Sequence, residues 1–391
     1  MARVWQNGFE SLDSIFKEER QIGTTDIVYN NCILSYTNYH DEKGTTTNDN
    51  YKMYTGYTDG RGGYGKKALF LRTPSYKYTT LTRLTRVCFG KSFITADNIT
   101  EIYTSFYYKA TEIDDTLTTG YSTILFEITG SAGGQSFVTI KVKTVNGGYQ
   151  LIHGNLAYPM YYGEWYKIDV HVMSTGHSNK TGLVEIKVND ILVYSEPTNM
   201  NEYVAGGYKY TIGNLYYYLG YSTYSLGRAE YCIDDVILNT TSGATNNSWV
   251  TQSESILDFY PIANGSKSDF VPLSGSNYEN VDDGGTGDGE TTYNSTDVFG
   301  AIDTFKFGNS DYELDDSAEV TALYAYCEAK VEGTTCGVSL VEQEGSDYVE
   351  LGTPITTLDY GKGNIIKDLS TTVGEFKNKE YGYKFKEVTE I

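Results

Sequence analysis

The sequence predicts an all-β protein, and three observations support that prediction. Its 391 residues include 38 Tyr and 41 Gly but only 6 Pro and 5 Met. Aromatic and β-branched residues suit pleated, half-buried surfaces, while Gly, Asn and Asp supply turns. Apolar and polar residues alternate in many short segments, and turn signals separate these segments at roughly 8–12 residues, as in β-sandwiches. Helical spacing is restricted to one short candidate, Phe9 to Arg20.

The clearest strand pattern lies between Gly163 and Asn239. In the segment 164–172, one face carries the apolar side chains Tyr166, Ile168, Val170 and Val172. The other face carries Trp165, Lys167, Asp169 and His171. This period of two predicts a half-buried strand. The segment 183–188 leads into Asn189-Asp190, residues that tolerate the positive φ of a two-residue hairpin turn. In the segment 229–239, Asp234-Asp235 interrupts the alternation and indicates a bulge.

Composition divides the chain into three parts. Residues 1–245 contain a succession of strand-like segments and predict a jelly-roll β-sandwich. Residues 246–296 are rich in Ser, Asn, Gly and Asp and predict a linker with short strands, its acidic tract lying at 281–290. Residues 297–391 return to strand-like alternation and predict a smaller acidic β-sandwich domain.

Charge and cysteine usage limit the classes of partner. Residues 251–391 carry 27 Asp and Glu against 9 Lys, within a whole-chain net charge of −21. Because such a surface repels phosphate backbones, nucleic acid is not expected as a partner. No stretch approaches the ~20 apolar residues that a membrane span needs, and no signal peptide is recognisable, so membrane insertion and export are not expected. The 5 Cys are odd in number and are interpreted as reduced, although a bridge between Cys327 and Cys336 stays open.

The sequence predicts no catalytic, metal or cofactor site. Glu112-Ile-Asp114-Asp115 is the nearest match to the alternating carboxylates of glucanases, and it lacks the final Glu. The four His residues stand singly and without metal-ligand spacing, and His171 is interpreted as a surface or inter-sheet residue. The acidic tract at 281–290 could bind Ca²⁺, but its spacing does not match an EF-hand loop, and a flexible acidic linker is the favoured interpretation.

Tyr clusters are the feature with binding potential. Tyr combines a rigid apolar ring with a hydroxyl group, which suits sheet packing, subunit contacts and stacking on sugar rings. These three interpretations stay open. The candidate contact residues are Tyr208, Tyr210, Tyr216, Tyr217, Tyr218, Tyr221, Tyr224 and Trp249.

The order of the motifs resembles a known group of proteins. The Trp165-led strand, the Asn189 hairpin and the Ile-Asp-Asp-Val strand together resemble the later half of a concanavalin A-like jelly roll. The segment 229–249, followed by Ile256 to Pro261, is similar to a pattern in tailed-bacteriophage virion proteins. One departure is Trp249-Val-Thr-Gln, where that family often has Trp-Pro-Gly-Asp.

This resemblance implies a non-enzymatic structural protein of the virion, such as a fibre, spike, neck, tail or capsid-decorating protein. It implies other virion proteins as partners, a homo-oligomer on the particle, and assembly in the host cytoplasm. The alternative is a glycan-binding adhesion module that recognises host surface polysaccharide through exposed Tyr residues and Trp249. Hydrolysis of a glycan at Glu112 is the third and least supported hypothesis.

Overall fold

The alternating segments form strands, and the protein is built from antiparallel β-sheets, which confirms the predicted all-β fold class. The structure, a computed structural model, describes residues 3–7, 27–29, 32–37, 52–56, 68–73, 86–92, 99–113, 122–130, 136–145, 148–174, 182–198, 202–204, 207–209, 212–218, 229–243, 245–250, 254–282, 291–308, 313–333, 335–356 and 361–388. The chain divides into two compact units, here called the first unit (Ala2–Ile256) and the second unit (Leu257–Ile391).

The described part of the first unit consists mainly of β-strands. They are β1 Arg3–Asn7, β2 Ile27–Tyr29, β3 Cys32–Thr37, β4 Lys52–Gly56, β5 Ala68–Thr73, β6 Arg86–Ser92, β7 Glu101–Ile113, β8 Ser122–Gly130, β9 Ser136–Val145, β10 Gly148–His153, β11 Leu156–Met160, β12 Tyr166–Ser174, β13 Gly182–Val188, β14 Ile191–Thr198, β15 Glu202–Val204, β16 Gly207–Lys209, β17 Ile212–Tyr218 and β18 Ala229–Thr240. This succession of strands is consistent with a jelly-roll sandwich.

Two large sheets enclose the core of the first unit. Sheet A has the order β14-β13-β12-β7-β18-β5-β4, with β1 paired to β18. Sheet B has the order β11-β10-β9-β8-β17-β6-β3-β2. Large side chains from both sheets fill the space between them, and Phe106 of β7 stacks on Phe126 of β8 with ring centroids 5.6 Å apart. The strand order brings together strands that are far apart in the sequence. In sheet A, for example, β7 and β12 lie side by side at the centre.

The predicted local features are confirmed at β12, β13 and β18. The apolar face of β12 is buried in the core. Asn189 and Asp190 have φ angles of 50° and 64°, the positive values that a two-residue hairpin turn requires. Asp235 has a φ of 46°, and the pairing of β18 with β7 shifts register between Asp234 and Ile237, which is the predicted bulge.

One expectation for β12 is wrong, because its polar face is buried as well. Lys167 is 2%, Asp169 1% and His171 6% exposed, so this strand is not half-buried. The cause is a stretch of chain that follows β18, residues 245–250 and 254–256, here called the crossing segment. It contacts the face of sheet A that points away from the core, through the backbone oxygen atoms of Ser248 and Val250.

The second unit contains further antiparallel sheets. Its described elements are β19 Tyr260–Ser268, β20 Val271–Pro272, a 3₁₀-helix Asn277–Asn280, β21 Asn294–Ser295, β22 Ile302–Gly308, β23 Glu319–Ala329, β24 Cys336–Glu344, β25 Asp347–Ile355, β26 Gly361–Thr372, α1 Val373–Asn378 and β27 Tyr381–Glu387. Five strands form a sheet in the order β19-β22-β27-β24-β25, and β23 pairs with β26. Thr372 and Glu375 form a reciprocal capping box at the start of α1. Part of the segment predicted as a linker, 246–296, thus contributes strand β19 to this sheet.

Buried carboxylates hold the second unit together. Glu342 of β24 is fully buried and pairs with Lys379 at 2.8 Å and with Lys367. One carboxylate oxygen of Glu380 accepts hydrogen bonds from Thr304, Tyr348 and Ser266, each at 2.8–2.9 Å. Buried charges are tolerated where partners of this kind surround them.

Several predictions fall partly or wholly outside the described residues. The helix candidate Phe9 to Arg20 and most of the acidic tract at 281–290 lie outside them. No disulfide joins Cys327 to Cys336. Among the described residues, no helix has the length and hydropathy needed to cross a bilayer.

Candidate functional site

Strand register collects polar side chains in a row on the outward face of sheet A. His171 of β12 lies opposite Tyr103 of β7 and opposite Glu185 of β13. Ser195 of β14 lies opposite Glu185 and extends the row by one strand. Directly opposed residues on one face of an antiparallel pair have Cβ atoms about 4.5–5.5 Å apart, so this register alone places the side chains in contact. The site is therefore a product of strand pairing.

Both ring nitrogens of His171 contact carboxylates. Nδ1 lies 2.8 Å from Oε2 of Glu185, and Nε2 lies 2.9 Å from Oε1 of Glu101. A neutral imidazole has a single N–H, so only the doubly protonated ring donates to both carboxylates. The two Glu side chains are 22–23% exposed, whereas the His171 side chain is 7% exposed. The His171 ring therefore lies between two carboxylates that still reach solvent.

Tyr103 stacks on one face of the His171 ring. Its ring is parallel to the His171 imidazole, with centroids 4.2 Å apart and an interplanar angle of 1°. Its hydroxyl group donates to Oε1 of Glu101 at 3.0 Å. Burial first, and then this hydrogen bond and the charge of Glu101, raise the pKa of Tyr103 to about 12. Tyr103 is therefore protonated at neutral pH and keeps its place beside the imidazole.

Trp249, from the crossing segment, completes the cluster. Its indole meets Tyr103 and His171 at steep angles, with centroid distances of 5.5 and 5.7 Å. The ammonium group of Lys187 lies 3.9 Å from the centre of the indole ring, a cation–π geometry. The set Glu101, Tyr103, His171, Glu185, Lys187 and Trp249 is here called the aromatic–carboxylate patch. It offers aromatic surface and carboxylate acceptors side by side.

Lys167 fixes the crossing segment in place. Its ammonium group donates to the backbone oxygen of Val250 at 2.8 Å and pairs with Asp190 at 2.8 Å and Asp169 at 3.2 Å. The next anchor is Asn239, whose amide donates to the backbone oxygen of Ser248 at 3.2 Å. These two contacts flank Trp249 in sequence, so they position its indole on the patch.

The structure locates only part of the predicted contact set. Trp249 is the member that belongs to the aromatic–carboxylate patch. Tyr208 lies in β16, and Tyr216, Tyr217 and Tyr218 lie in β17, next to β6 and β8 of sheet B. Tyr210, Tyr221 and Tyr224 lie outside the described residues. The Tyr candidates therefore remain predictions.

Sequence reasoning missed Glu101, Tyr103 and Glu185. His171 was placed correctly on the face away from the apolar stripe, but its partners are 14 and 70 residues away along the chain. The signal that could have found them is the alternation itself, since Glu101 and Tyr103 share the polar face of β7. Among the described residues, no group of three or more His, Cys, Asp or Glu side chains has the geometry of a metal site.

These observations define a β-sandwich with an aromatic and acidic cluster on the outward face of one sheet. No known protein family matches the sequence, and no curated protein matches it. Solved structures do resemble it. The alginate lyase Aly36B has 13% identity and a TM-score of 0.34, over 44% of this chain and 80% of that one. An endo-β-1,4-glucuronan lyase from the fungus Trichoderma reesei has 14% identity and a TM-score of 0.34, over 53% and 94%. A marine alginate lyase from Aplysia kurodai has 10% identity and a TM-score of 0.33, over 48% and 86%.

These comparisons correct two predictions. The similar structures are polysaccharide lyases, a finding that stands against the predicted non-enzymatic structural role and against the expectation that the chain is not an enzyme. At sequence identities of 10–14%, similarity to a solved structure concerns the fold alone. The resemblance to phage virion proteins, the virion partners and the location on a particle stay predictions. The alternative hypothesis, recognition of a glycan, is the one carried forward.

Proposed function

We propose that the first unit binds a polysaccharide at the aromatic–carboxylate patch. The observation that carries this proposal is the parallel stack of Tyr103 on His171, bordered by Trp249 and by two partly exposed carboxylates. Sugars present C–H groups on one side and hydroxyl groups at the rim. Aromatic rings accommodate the former, and carboxylates accept hydrogen bonds from the latter. Ligand sites typically combine apolar surface with a few fixed polar groups in this way.

The patch is held in shape before any ligand arrives. Ser195 donates to Glu185 at 3.2 Å, Tyr103 donates to Glu101, and His171 lies between both carboxylates. Side chains fixed by such bonds lose little conformational entropy when a ligand binds. The site is also built on strands, which place side chains more reproducibly than loops do. Preorganisation of this kind favours binding of a weakly interacting ligand such as a sugar chain.

Binding is tested by affinity electrophoresis of the full chain through gels that contain soluble polysaccharides. We expect at least one polysaccharide to retard the protein, and Trp249→Ala to weaken that interaction at least tenfold, because the aromatic border of the patch is lost. Trp249→Phe should keep most of the binding. Tyr161→Ala serves as the matched control, since Tyr161 is 63% exposed and lies outside the patch. Equal losses in Trp249→Ala and Tyr161→Ala would contradict this location of the site.

Cleavage of the bound chain is a second candidate function. The observation that favours it is the presence of two part-exposed carboxylates on opposite sides of one imidazole, because paired carboxyl groups supply general acid and base catalysis. We expect Glu185→Gln to abolish the release of new chain ends, by about 10²-fold or more, while binding falls by less than tenfold. The measurement is an assay of chain ends after incubation with each polysaccharide that binds. Release of chain ends at the wild-type rate by Glu185→Gln would exclude this role.

A further inference from the structure

We infer that the side chains of Lys167 and Asp190 join in an intramolecular amide bond, and that Asp169 transfers the protons in this reaction. The amide is a covalent modification of the first unit and is independent of polysaccharide binding. In the freshly folded chain the three side chains form the ion pair described above, and the amide accumulates from that state. Three features support this reaction: the distances between the groups, their burial, and the fixed position of the hairpin turn.

The reacting groups are already in contact. Nζ of Lys167 lies 2.8 Å from Oδ1 of Asp190 and 3.2 Å from Oδ1 of Asp169. A contact of this length to Oδ1 of Asp190 also brings Nζ near the carboxyl carbon Cγ, close to the separation of about 3–3.5 Å from which oriented groups react. The amine, the carboxyl carbon that it attacks and a second carboxylate therefore meet at one point.

Burial favours the proton transfer that must precede the reaction. Lys167 is 2% and Asp169 is 1% exposed. Charges are costly in such an environment, and moving one proton from the Lys167 ammonium to the Asp169 carboxylate removes two charges at once. Burial is also the main reason why the pKa of Asp169 is raised, and the charge of Asp190 adds to that rise, whereas the charge of Lys167 opposes it. Asp169 is therefore suited to receive a proton and to pass it on.

The hairpin turn between β13 and β14 holds Asp190 beside Lys167. The backbone N–H of Asn189 donates to the backbone oxygen of Lys167 at 2.9 Å, and the backbone N–H of Lys167 donates to Oδ1 of Asn189 at 2.9 Å. Asp190 is the next residue, so its backbone is fixed relative to the amine. Such positioning replaces an encounter between two groups by a reaction within one molecule. The Asp190 side chain is 35% exposed, so the water that is released can leave.

The reaction condenses an ammonium group and a carboxylate into an amide and one water molecule. Lys167 loses a proton to Asp169, and its neutral Nζ then forms a bond to Cγ of Asp190. The bond from Cγ to one of its Oδ atoms breaks, and this oxygen leaves as water. Both protons of the water come from the former ammonium group and pass through Asp169, which ends ionised as it began. The amide keeps one N–H, which can still donate to the backbone oxygen of Val250.

Mass spectrometry of the intact full chain, before and after prolonged incubation at neutral pH, tests for this bond. We expect a species lighter than the sequence mass by one water molecule, and a digest in which the peptide containing Lys167 is linked to the peptide containing Asp190. Lys377 and Asp316 are an internal control, because their contact distance is 2.9 Å but their side chains are 38% and 74% exposed, so no link should form there. A mass that stays at the sequence value, or a water loss that maps to another site, would overturn the inference.

Two substitutions separate the roles of the aspartates. Asp190→Asn keeps the carboxyl-type carbon and should form the same link with loss of ammonia in place of water. Asp169→Asn keeps the shape of the side chain but removes the proton carrier, so the rate of linking should fall by about 10²-fold or more. Trp fluorescence, compared with wild type, shows whether each variant is folded. Linking at the wild-type rate in Asp169→Asn would refute its role, and the absence of a link in folded Asp190→Asn would refute the reaction.

Discussion

Replacing Lys167 with Met is expected to destabilise the first unit by about 3–5 kcal/mol, the range for a buried ion pair that loses one partner. Lys167 is 2% exposed, and its partner Asp169 is 1% exposed. Without the ammonium group, the Asp169 carboxylate would be left as an uncompensated buried charge. The backbone oxygen of Val250 would lose its donor too, so the crossing segment would detach more easily.

The loss of stability in Lys167→Met should be smaller at acidic pH than at alkaline pH. Burial raises the pKa of Asp169, and the charge of Lys167 opposes this rise. A carboxyl group whose pKa is raised by folding contributes stability that is present below its unfolded pKa and is lost as pH rises through the folded value. Lys167→Met removes the opposing charge and raises this pKa further. The variant should therefore be closer to wild type at pH 5 than at pH 8.

Urea unfolding followed by Trp fluorescence measures this effect, because all three Trp residues, Trp5, Trp165 and Trp249, lie in the first unit. Lys141→Met, on the outward face of β9, is the matched control and should change stability by no more than about 0.5 kcal/mol. The double variant Lys167→Met/Asp169→Asn should recover much of the loss, since both charges are then absent. A loss below about 1 kcal/mol in Lys167→Met alone would show that the pair is not needed.

Replacing Glu342 with Gln is expected to destabilise the second unit by about 2 kcal/mol at neutral pH, as for a lost hydrogen bond to a charged group. Burial tends to raise the pKa of Glu342, but hydrogen bonds and charge from Lys367 and Lys379 outweigh burial and hold the pKa below its ordinary value. Such a carboxylate contributes stability that is present above the unfolded pKa, about 4.3, and is lost as pH falls through the folded pKa. Glu342→Gln should therefore weaken the acid sensitivity of this unit.

Hydrogen exchange of peptides from β24 and β27 reports on the second unit directly, because β24 contains Glu342 and β27 pairs with β24 at that residue. Exchange should be faster in Glu342→Gln than in wild type at pH 7, and the difference should shrink towards pH 4. Glu350→Gln is a matched control, since Glu350 also pairs with two lysines, Lys384 and Lys386, but is 29% exposed. Exposed pairs contribute about 0–1 kcal/mol. Equal effects of the two substitutions would indicate that burial of Glu342 does not strengthen its interactions.

More of the fold than of the candidate site could be predicted from the sequence. Alternation along β12 identified its core face, Asn189-Asp190 identified a hairpin, and Asp234-Asp235 identified a bulge, because each depends on the local conformation of a few residues. The same alternation predicted that Lys167 and Asp169 face water. That prediction is wrong because a period of two distinguishes two faces of a strand but does not show what covers either face.

The candidate site could not be predicted in this way, because it depends on contacts between residues that are far apart in the sequence. Trp249 was singled out from its position after the Asn pair, yet nothing local indicated that it would lie against Tyr103 and His171, which are 146 and 78 residues away along the chain. The non-enzymatic role followed from the order of motifs, and the likeness to polysaccharide lyases stands against it. Glu101 and Glu185 carried no recognisable motif.

The sequence by itself determined the all-β class, the apolar face of β12, the hairpin and the bulge, because backbone preferences and side-chain alternation act over a few residues. Only the tertiary structure decided that β7, β12 and β13 are neighbours, that their register aligns Tyr103, His171 and Glu185, and that the crossing segment covers Lys167. Strand order and register depend on packing between residues far apart in the chain. The patch is a consequence of that packing, so its chemistry becomes visible only in the folded protein.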